Sequence, residues 1–384
     1  MLINYKVCGY KVFNEEVEIS FKGNKKIKNK NYVFNINNNE VLKSIVIYGA
    51  NNTGKSTLIE SLRLLKKIIK SGKITNEFIS FLDFNFFSKS DCIDFEIEFI
   101  ECDIRYKYQL SFNKEFEIIK EVLFIEDKVL FDRNKVNDNK ELNNAISLFK
   151  SYKNMLIVTA LPGTYKKHTD NFNAFFDKLI VLNKYFDFNE VINDTLDLNK
   201  KEFNKFNKIL KSADISINNI VINNNLNDEL KELRMFSEYY MNNCKASIPS
   251  YLSDSDGTRV FMYYILKIMK LMKSGGVIVI DEIDRSLHTL LTKNIVSIFN
   301  NSDNKNMQLI ATSHDLLLLD CLYLFRKDQV WFTYKDDKKV YVYSLDKFKS
   351  NVDNQIRNNT MESYLKGMFG SLPHPNIDND LFDE

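Results

Sequence analysis

No stretch of this chain approaches the roughly 18 to 20 consecutive apolar residues that a bilayer-spanning helix needs, so no membrane helix is predicted. The opening MLINYKVCGYKVF lacks a basic segment followed by an apolar one, and the expectation is a cytoplasmic protein. Cysteines are few. Cys8, Cys92, Cys102, Cys244 and Cys321 are scattered without a C-x-x-C pair, which excludes a zinc-site spacing or a disulfide framework and predicts reduced, mostly buried thiols. Net charge is nearly absent, +2 from 53 basic and 51 acidic residues. No bulk field therefore draws nucleic acid or membrane, and a face for either would have to be local. Prolines number four and glycines 11 in 384 residues, so each remaining turn marker carries weight. No repeat with a period of a few tens of residues is present. Asparagine and lysine are abundant, but along the whole chain, not as a low-complexity domain.

What is there is a packed-core protein, 44% hydrophobic and long enough for two or three lobes. LINYKVCGY and EVEISF alternate as strands around a turn near Asn14, and a polar loop from 22 to about 40 follows. VLKSIVIYGANNTGKSTLIESLRLLKKIIK passes from a buried strand through a loop into an amphipathic helix, with Leu58, Ile59, Leu62, Leu65 and Ile69 on one face. Period-two alternation from 91 to about 133 predicts several antiparallel strands. A helix is expected from about 137 through 148, then a short strand in MLIVTAL ending at Pro162 and Gly163. The stretch from 164 to 243 is largely helical in pattern, broken by an extended ADISINNIVI. The last third alternates helix SDGTRVFMYYILKIMKLMKSGG, strand VIVIDE, helix RSLHTLLTKNIVSIFN and strand QLIATSHD, then a hairpin of VWFTYKD and KVYVYSL. Strands separated by helices at this spacing imply an α/β fold with a mainly parallel core sheet.

The strongest chemical signal is GANNTGKS, running from Gly49 to Ser56, which fits G-x-x-x-x-G-K-[ST] at every fixed position. Gly49 and Gly54 let the backbone turn so that the N–H groups of Asn51, Asn52, Thr53 and Thr57, with the positive helix end, face phosphate oxygens. Lys55 would reach the β- and γ-phosphates, and the Ser56 hydroxyl is a hard ligand for Mg²⁺. In VIVIDE, Asp281 and Glu282 end a buried strand, where an acidic pair is costly unless it meets a cation or water. Asp281 would hold Mg²⁺ and Glu282 would deprotonate the attacking water; a solvated strand end opening a helix is the plainer reading of the same residues. His314 ends the apolar strand LIATSH and either caps local backbone or reaches the γ-phosphate. Ser255, Asp256, Gly257 and Thr258 precede an apolar helix; they read as a helix cap and also as a second phosphate-facing helix start.

P-loop, signature, hhhhDE and histidine-tipped strand, in that order over nearly the whole chain, resemble the ABC-type ATPase heads of SMC-like and RecF-like proteins. More specifically, the stretch Tyr10-Lys11-Val12-Phe13, YGANNTGKST, YKYQLSF, SDGT, DEIDRSLH, TSHD and YLKGMFGSLP are similar to the OLD-related, abortive-infection ATP-binding proteins of bacterial defence. The resemblance implies a P-loop NTPase fold of ABC-head type with an antiparallel β lobe and a helical lobe, using ATP and Mg²⁺. It implies two copies packed head to tail, Ser255, Gly257 and Thr258 of one closing on the γ-phosphate held by the other. Arg285, Ser286 and Leu287 would form the D-loop crossing that seam. Lys11 stands where such heads often carry arginine beside the nucleotide. SDGT differs from the transporter form LSGGQ, which argues against a transport ATPase. Gln109 lies inside a strand pattern and is a poor Q-loop candidate. The insert is too short for a long coiled coil, and a TOPRIM nuclease domain is not expected in the stretch after SHD.

The expected organisation is a nucleotide-binding lobe over 1–163 carrying the P-loop and the antiparallel β subdomain, a helical lobe over 164–250, and a second lobe over 251–384 with signature, Walker B, D-loop and switch histidine. The expected function is an ATP-hydrolysing switch of an anti-phage, abortive-infection system. It would form a homodimer or higher oligomer around ATP and control a separate effector such as a nuclease or toxin. A DNA-repair head of RecF type, which would need a local basic face, and a non-hydrolysing ATP-bound scaffold are the alternatives.

Overall fold

A strand buried on both faces reads as an unbroken apolar run, whereas a half-buried one alternates; both patterns occur here and they build two different sheets. In a computed structural model, the structure describes residues 1–27, 30–36, 39–87, 91–182, 185–213, 217–223, 228–242, 244–320, 323–348, 360–370 and 372. The strands are β1 (Leu2–Cys8), β2 (Val17–Ser20), β3 (Val33–Ile36), β4 (Asn39–Leu42), β5 (Ser44–Gly49), β6 (Cys92–Glu101), β7 (Ile104–Asn113), β8 (Ile118–Ile125), β9 (Lys128–Asp132), β10 (Leu179–Val181), β11 (Asn219–Ile222), β12 (Met235–Met241), β13 (Cys244–Pro249), β14 (Gly276–Ile280), β15 (Met307–Thr312), β16 (Val330–Lys335) and β17 (Val340–Ser344). The α-helices are α1 (Lys55–Ser71), α2 (Lys140–Ser151), α3 (Lys166–Asp177), α4 (Phe188–Leu196), α5 (Lys200–Ser212), α6 (Ser250–Ser253), α7 (Asp256–Ser274), α8 (Thr289–Asn300), α9 (Leu316–Leu319) and α10 (Thr360–Leu365).

The core sheet runs β10-β14-β15-β5-β16-β17, parallel throughout except for the final β16–β17 hairpin. Every residue of β5 and of β15 is buried, as interior strands covered on both faces must be. The alternating segments form the second sheet, β2-β1-β6-β7-β8-β9, entirely antiparallel. One hydrophobic core joins that sheet to α1 and to Ile45, Ile47, Val277 and Val279 on one face of the core sheet. A second core lies on the other face, where Val46, Tyr48, Ile278 and Ile280 meet α7 and α8. The helix that follows the phosphate loop and the helix that follows SDGT thus pack on opposite faces of one sheet.

Several expectations need correction. The stretch 164–250 is not a helical lobe throughout: β10 joins the core sheet, and β11, β12 and β13 form a three-stranded antiparallel sheet. In it Met235, Ser237 and Tyr239 share one face and Phe236, Glu238 and Tyr240 the other, and left-handed Asn242 turns the hairpin. Of the expected extended ADISINNIVI, residues 214–216 lie outside the described residues, and the strand there is β11. MLIVTAL is no strand but a buried turn with a 3₁₀ segment, Val158–Ala160, because the Ile157 and Val158 amides are taken by the Glu121 carboxylate, each at 3.0 Å. The loop from 22 to 40 contains the β3–β4 hairpin. The helix expected from RSLH begins only at Thr289, with His288 as its cap. The thiols are not mostly buried: Cys8 and Cys92 are half-buried and Cys102 and Cys244 exposed, while Cys321 lies outside the described residues. No helix of the described residues is long and apolar enough to cross a membrane.

Candidate functional site

Parallel strands end together, so residues placed just after β5, β14 and β15 share one edge of the core sheet. β15 lies between the other two, pairing Ile47 with Thr312 on one side and Ile280 with Ala311 on the other. That adjacency brings together the Gly49 to Thr57 loop, Asp281 with Glu282, and His314, three groups that are far apart in sequence.

The loop is held open by its neighbours. A Cβ on Gly49 would fall 2.6 Å from the Thr333 carbonyl oxygen and against its hydroxyl; one on Gly54 would meet the Phe13 ring at 2.9 Å. Gly54 caps α1 with φ 100, a left-handed value that glycine alone adopts at little cost. Neither a side-chain cap nor an acidic residue occupies the first turn, so the helix end keeps its positive character for an anion. Thr53 hydrogen-bonds Thr333 at 2.6 Å and donates to Ala50 at 2.7 Å, Asn52 is left-handed at φ 63, and Asn51 is exposed. Lys55 is only 6% exposed, and its ammonium donates to the Gly49 and Ala50 carbonyls at 2.7 and 2.8 Å. Ser56 and Thr57 are half-buried at the helix start.

Opposite the loop, the Thr312 hydroxyl donates to the Asp281 carboxylate at 2.6 Å and accepts the Glu282 amide at 2.7 Å. Glu282 has φ 54, so its backbone turns out of the strand direction directly after Asp281. Two hard oxygen donors, from Ser56 and Asp281, suit a cation that keeps waters and phosphate oxygens as its other ligands. Among the described residues no group of three or more His, Cys, Asp and Glu side chains is placed to hold a metal ion. The His314 amide is held by both Asp284 carboxylate oxygens at 3.3 Å. Partial desolvation, then the nearby Lys55 ammonium, holds the His314 imidazole below its ordinary pKa.

Other expected residues lie elsewhere. Lys11 sits beside α1, but its ammonium is engaged by Glu60 at 2.7 Å and Asp83 at 3.5 Å. With Val12, Asn85, Phe86 and Lys339 it borders a cavity of about 400 Å³. Ser255 caps α7, accepting from the Thr258 amide at 3.2 Å and lying 3.0 Å from its hydroxyl, while Gly257 packs against Ser286. The helix α7 that they open packs on the face of the sheet opposite α1. Arg285 lies over the Tyr185 ring at 4.8 Å, and half-buried Leu287 packs against the second core. Gln109 is a β7 residue donating to Glu96, not part of the site. Sequence reasoning missed Thr312, Thr333 and Asp284. A hydroxyl inside the apolar run LIAT was the available signal for the first; nothing marked the others.

A family model described as "AAA domain, putative AbiEii toxin, Type IV TA system" matches residues 44–320. No curated protein matches the chain. Among solved structures, an SMC head bound to the C-terminal winged-helix domain of ScpA is 13% identical with a TM-score of 0.50, covering 89% of this chain and 97% of that one. The SMC head domain from Thermotoga maritima is 12% identical at TM-score 0.46, covering 89% and 98%. An SMC head with an extended coiled coil, bound to the C-terminal domain of ScpA derived from Pyrococcus furiosus, is 12% identical at 0.46, covering 93% and 99%. The first likeness shows an SMC-head fold of ABC-ATPase type.

Proposed function

The chain belongs to that AAA-domain family, of AbiEii type, with the fold of an SMC-head P-loop ATPase, and from this premise we propose that it hydrolyses ATP in a site completed by a second copy of itself. One observation carries the reading. Lys55, Asp281, Glu282 and His314 gather at one edge of the sheet, while the helix opened by SDGT packs on the face opposite α1. A second chain, packed head to tail, would supply its own Ser255, Gly257 and Thr258 over the loop of the first.

The chain's residues would then act as follows. The amides from Asn51 to Thr57 and the Lys55 ammonium grip the phosphates; Lys55 exchanges its two carbonyl partners for phosphate oxygens. Ser56 and Asp281 would hold Mg²⁺, which when bound neutralises charge on the phosphate oxygens. Glu282 accepts the proton of the attacking water, and neutral His314 donates a ring N–H toward the γ-phosphate. The cavity beside Lys11 and Val12 takes the nucleoside end. Because positioning dominates phosphoryl transfer, dividing the site between chains ties turnover to assembly. The family description names a toxin system, which supports an abortive-infection switch in the cytoplasm that controls a separate effector, a nuclease or another toxin, according to nucleotide state.

The test is nucleotide binding and complementation. Lys55→Ala is expected to lose ATP binding, and Ser255→Arg to bind ATP but not hydrolyse it. Mixed, the two variants regain turnover that neither shows alone. Retained affinity in Lys55→Ala would remove the P-loop assignment, and mixtures as inactive as their components would remove the shared site. The effector is sought as a protein that co-purifies with ATP-bound Glu282→Gln and dissociates with ADP.

A further inference from the structure

The third residue of the SDGT segment is a glycine without a backbone reason to be one. Gly257 lies in the first turn of α7, outside the left-handed region. The reason is spatial. A Cβ on Gly257 would fall on the backbone carbonyl oxygen of Ser286, nearer than real Cβ atoms approach any neighbour, with the carbonyl carbon at 3.5 Å. The obstacle is main chain, which cannot swing aside as a side-chain tip can. The space where a glycine would admit a phosphate across a seam is thus bounded, in the same chain, by the turn that follows Asp281 and Glu282.

That turn is fixed at several points. Glu282 and Ser286 both hold left-handed φ, 54 and 58. The Arg285 amide donates to the Glu282 carbonyl at 2.9 Å and the Leu287 amide to the Asp284 carbonyl at 3.2 Å. The Ile283 amide donates to Thr312 at 3.0 Å, and Asp284 holds the His314 amide. Farther along α7, buried Tyr264 lies near enough for Asp284 and Arg285 to act on its phenol. The start of α7 therefore rests on a turn that continues into Asp284 and, through it, the switch histidine.

We propose that Gly257 is a positioning residue for its own chain's active site: by seating the Ser286 carbonyl it locks the D-loop turn, and with it Glu282 and His314, to the start of α7. The inference rests on the shared-site reading and adds a cis role to a residue that reading uses in trans. In a head-to-tail pair, engagement of α7 at one nucleotide is carried directly into the acidic turn serving the other.

The cis role is separable from the trans role by mixing. A Gly257→Ala chain is combined with a Lys55→Ala chain, so that the only loadable P-loop belongs to the Gly257→Ala chain and is closed by an unaltered SDGT. Ser255→Arg mixed with Lys55→Ala is the control, and its turnover establishes the shared site. Turnover of the Gly257→Ala mixture at least about tenfold below the control, with ATP affinity of the Gly257→Ala chain unchanged, is expected for a displaced acidic turn. Equal turnover in the two mixtures refutes the cis seat while leaving the shared site standing. An inactive control removes the shared site and the inference together. If alanine alone unfolds the chain, the double variant Gly257→Ala/Ser286→Gly decides. Glycine at 286 frees the carbonyl to turn, and folding and turnover return if that carbonyl is the obstacle; if neither returns, the seat is disproved.

Discussion

Lys55 and His314 lie close enough that the lysine's charge is felt at the imidazole, and this proximity is measurable before any nucleotide is added. The fold keeps His314 below the usual imidazole value of about 6.5 by partial desolvation first and by Lys55 second. Its titration midpoint, followed by the ring protons in NMR, is expected below that value, and Lys55→Ala is expected to raise it by removing the cation. A midpoint that does not move in Lys55→Ala would separate the two residues. The linkage sign follows: the folded state binds fewer protons here than the unfolded chain, so this residue costs no stability above the unfolded pKa, and stability is lost as the pH falls from that value through the lower folded pKa. A second residue-scale expectation concerns Gly49. Gly49→Ala drives a methyl into the Thr333 hydroxyl and carbonyl, so ATP affinity should fall by at least about tenfold, as expected for an ångström-scale displacement of a phosphate cradle. Unchanged affinity by fluorescent-nucleotide titration would show that the loop tolerates the displacement.

Elements are held to one another by a few buried polar anchors, and the one joining the antiparallel sheet to the turn after α2 can be tested directly. Glu121 on β8 is fully buried, accepts the Ile157 and Val158 amides, and pairs with Arg133 at 3.2 Å; Arg133 also donates to the Phe149, Tyr152 and Met155 carbonyls. Desolvation pushes the Glu121 carboxyl above its usual value in spite of these donors, so the pair is costly to form and costlier to halve. Glu121→Ala should lower stability by about 3 to 5 kcal/mol in urea unfolding; a loss below about 1 kcal/mol, the range of a surface pair, would show the anchor to be dispensable. The same contact explains why MLIVTAL misled. Its apolar residues are buried as a strand's would be, but its conformation is set by a carboxylate about 36 positions upstream, a partner that local periodicity does not report. The β12–β13 hairpin was hidden differently: its alternation was present in MFSEYYM, but aromatic and polar residues at that length fit a helix face equally well. By contrast SIVIY, VIVI and QLIAT were legible because strands buried on both faces leave an unbroken apolar signature, and GANNTGKS because phosphate binding fixes residue types at fixed spacing. The bond from Thr312 to Asp281 crosses between adjacent strands and needed the sheet order to be seen.

At the scale of the whole molecule the decisive feature is the division of two helix starts by one sheet, with α1 in the first core and α7 in the second. Two hydrophobic cores sharing a sheet make a body whose faces move little relative to each other, so α1 and α7 are held on their separate faces. The proposed closure by a second copy requires nucleotide, and association of that kind has a thermodynamic signature. ATP bound to a lone chain at 100 times its dissociation constant would add about 2.7 kcal/mol, whatever the protein concentration. ATP that also bridges two Glu282→Gln chains adds the free energy of the second interface, and the melting midpoint must then rise with protein concentration. With ATP and magnesium, Glu282→Gln is expected to double in mass by light scattering and to melt higher as it is concentrated. ADP, which lacks the phosphate that the second SDGT would contact, is expected to raise the midpoint by a fixed amount and leave the mass unchanged. A midpoint with ATP that is indifferent to protein concentration, together with an unchanged mass, would mean that the chain closes its site alone, and the opposed helix starts would need another explanation.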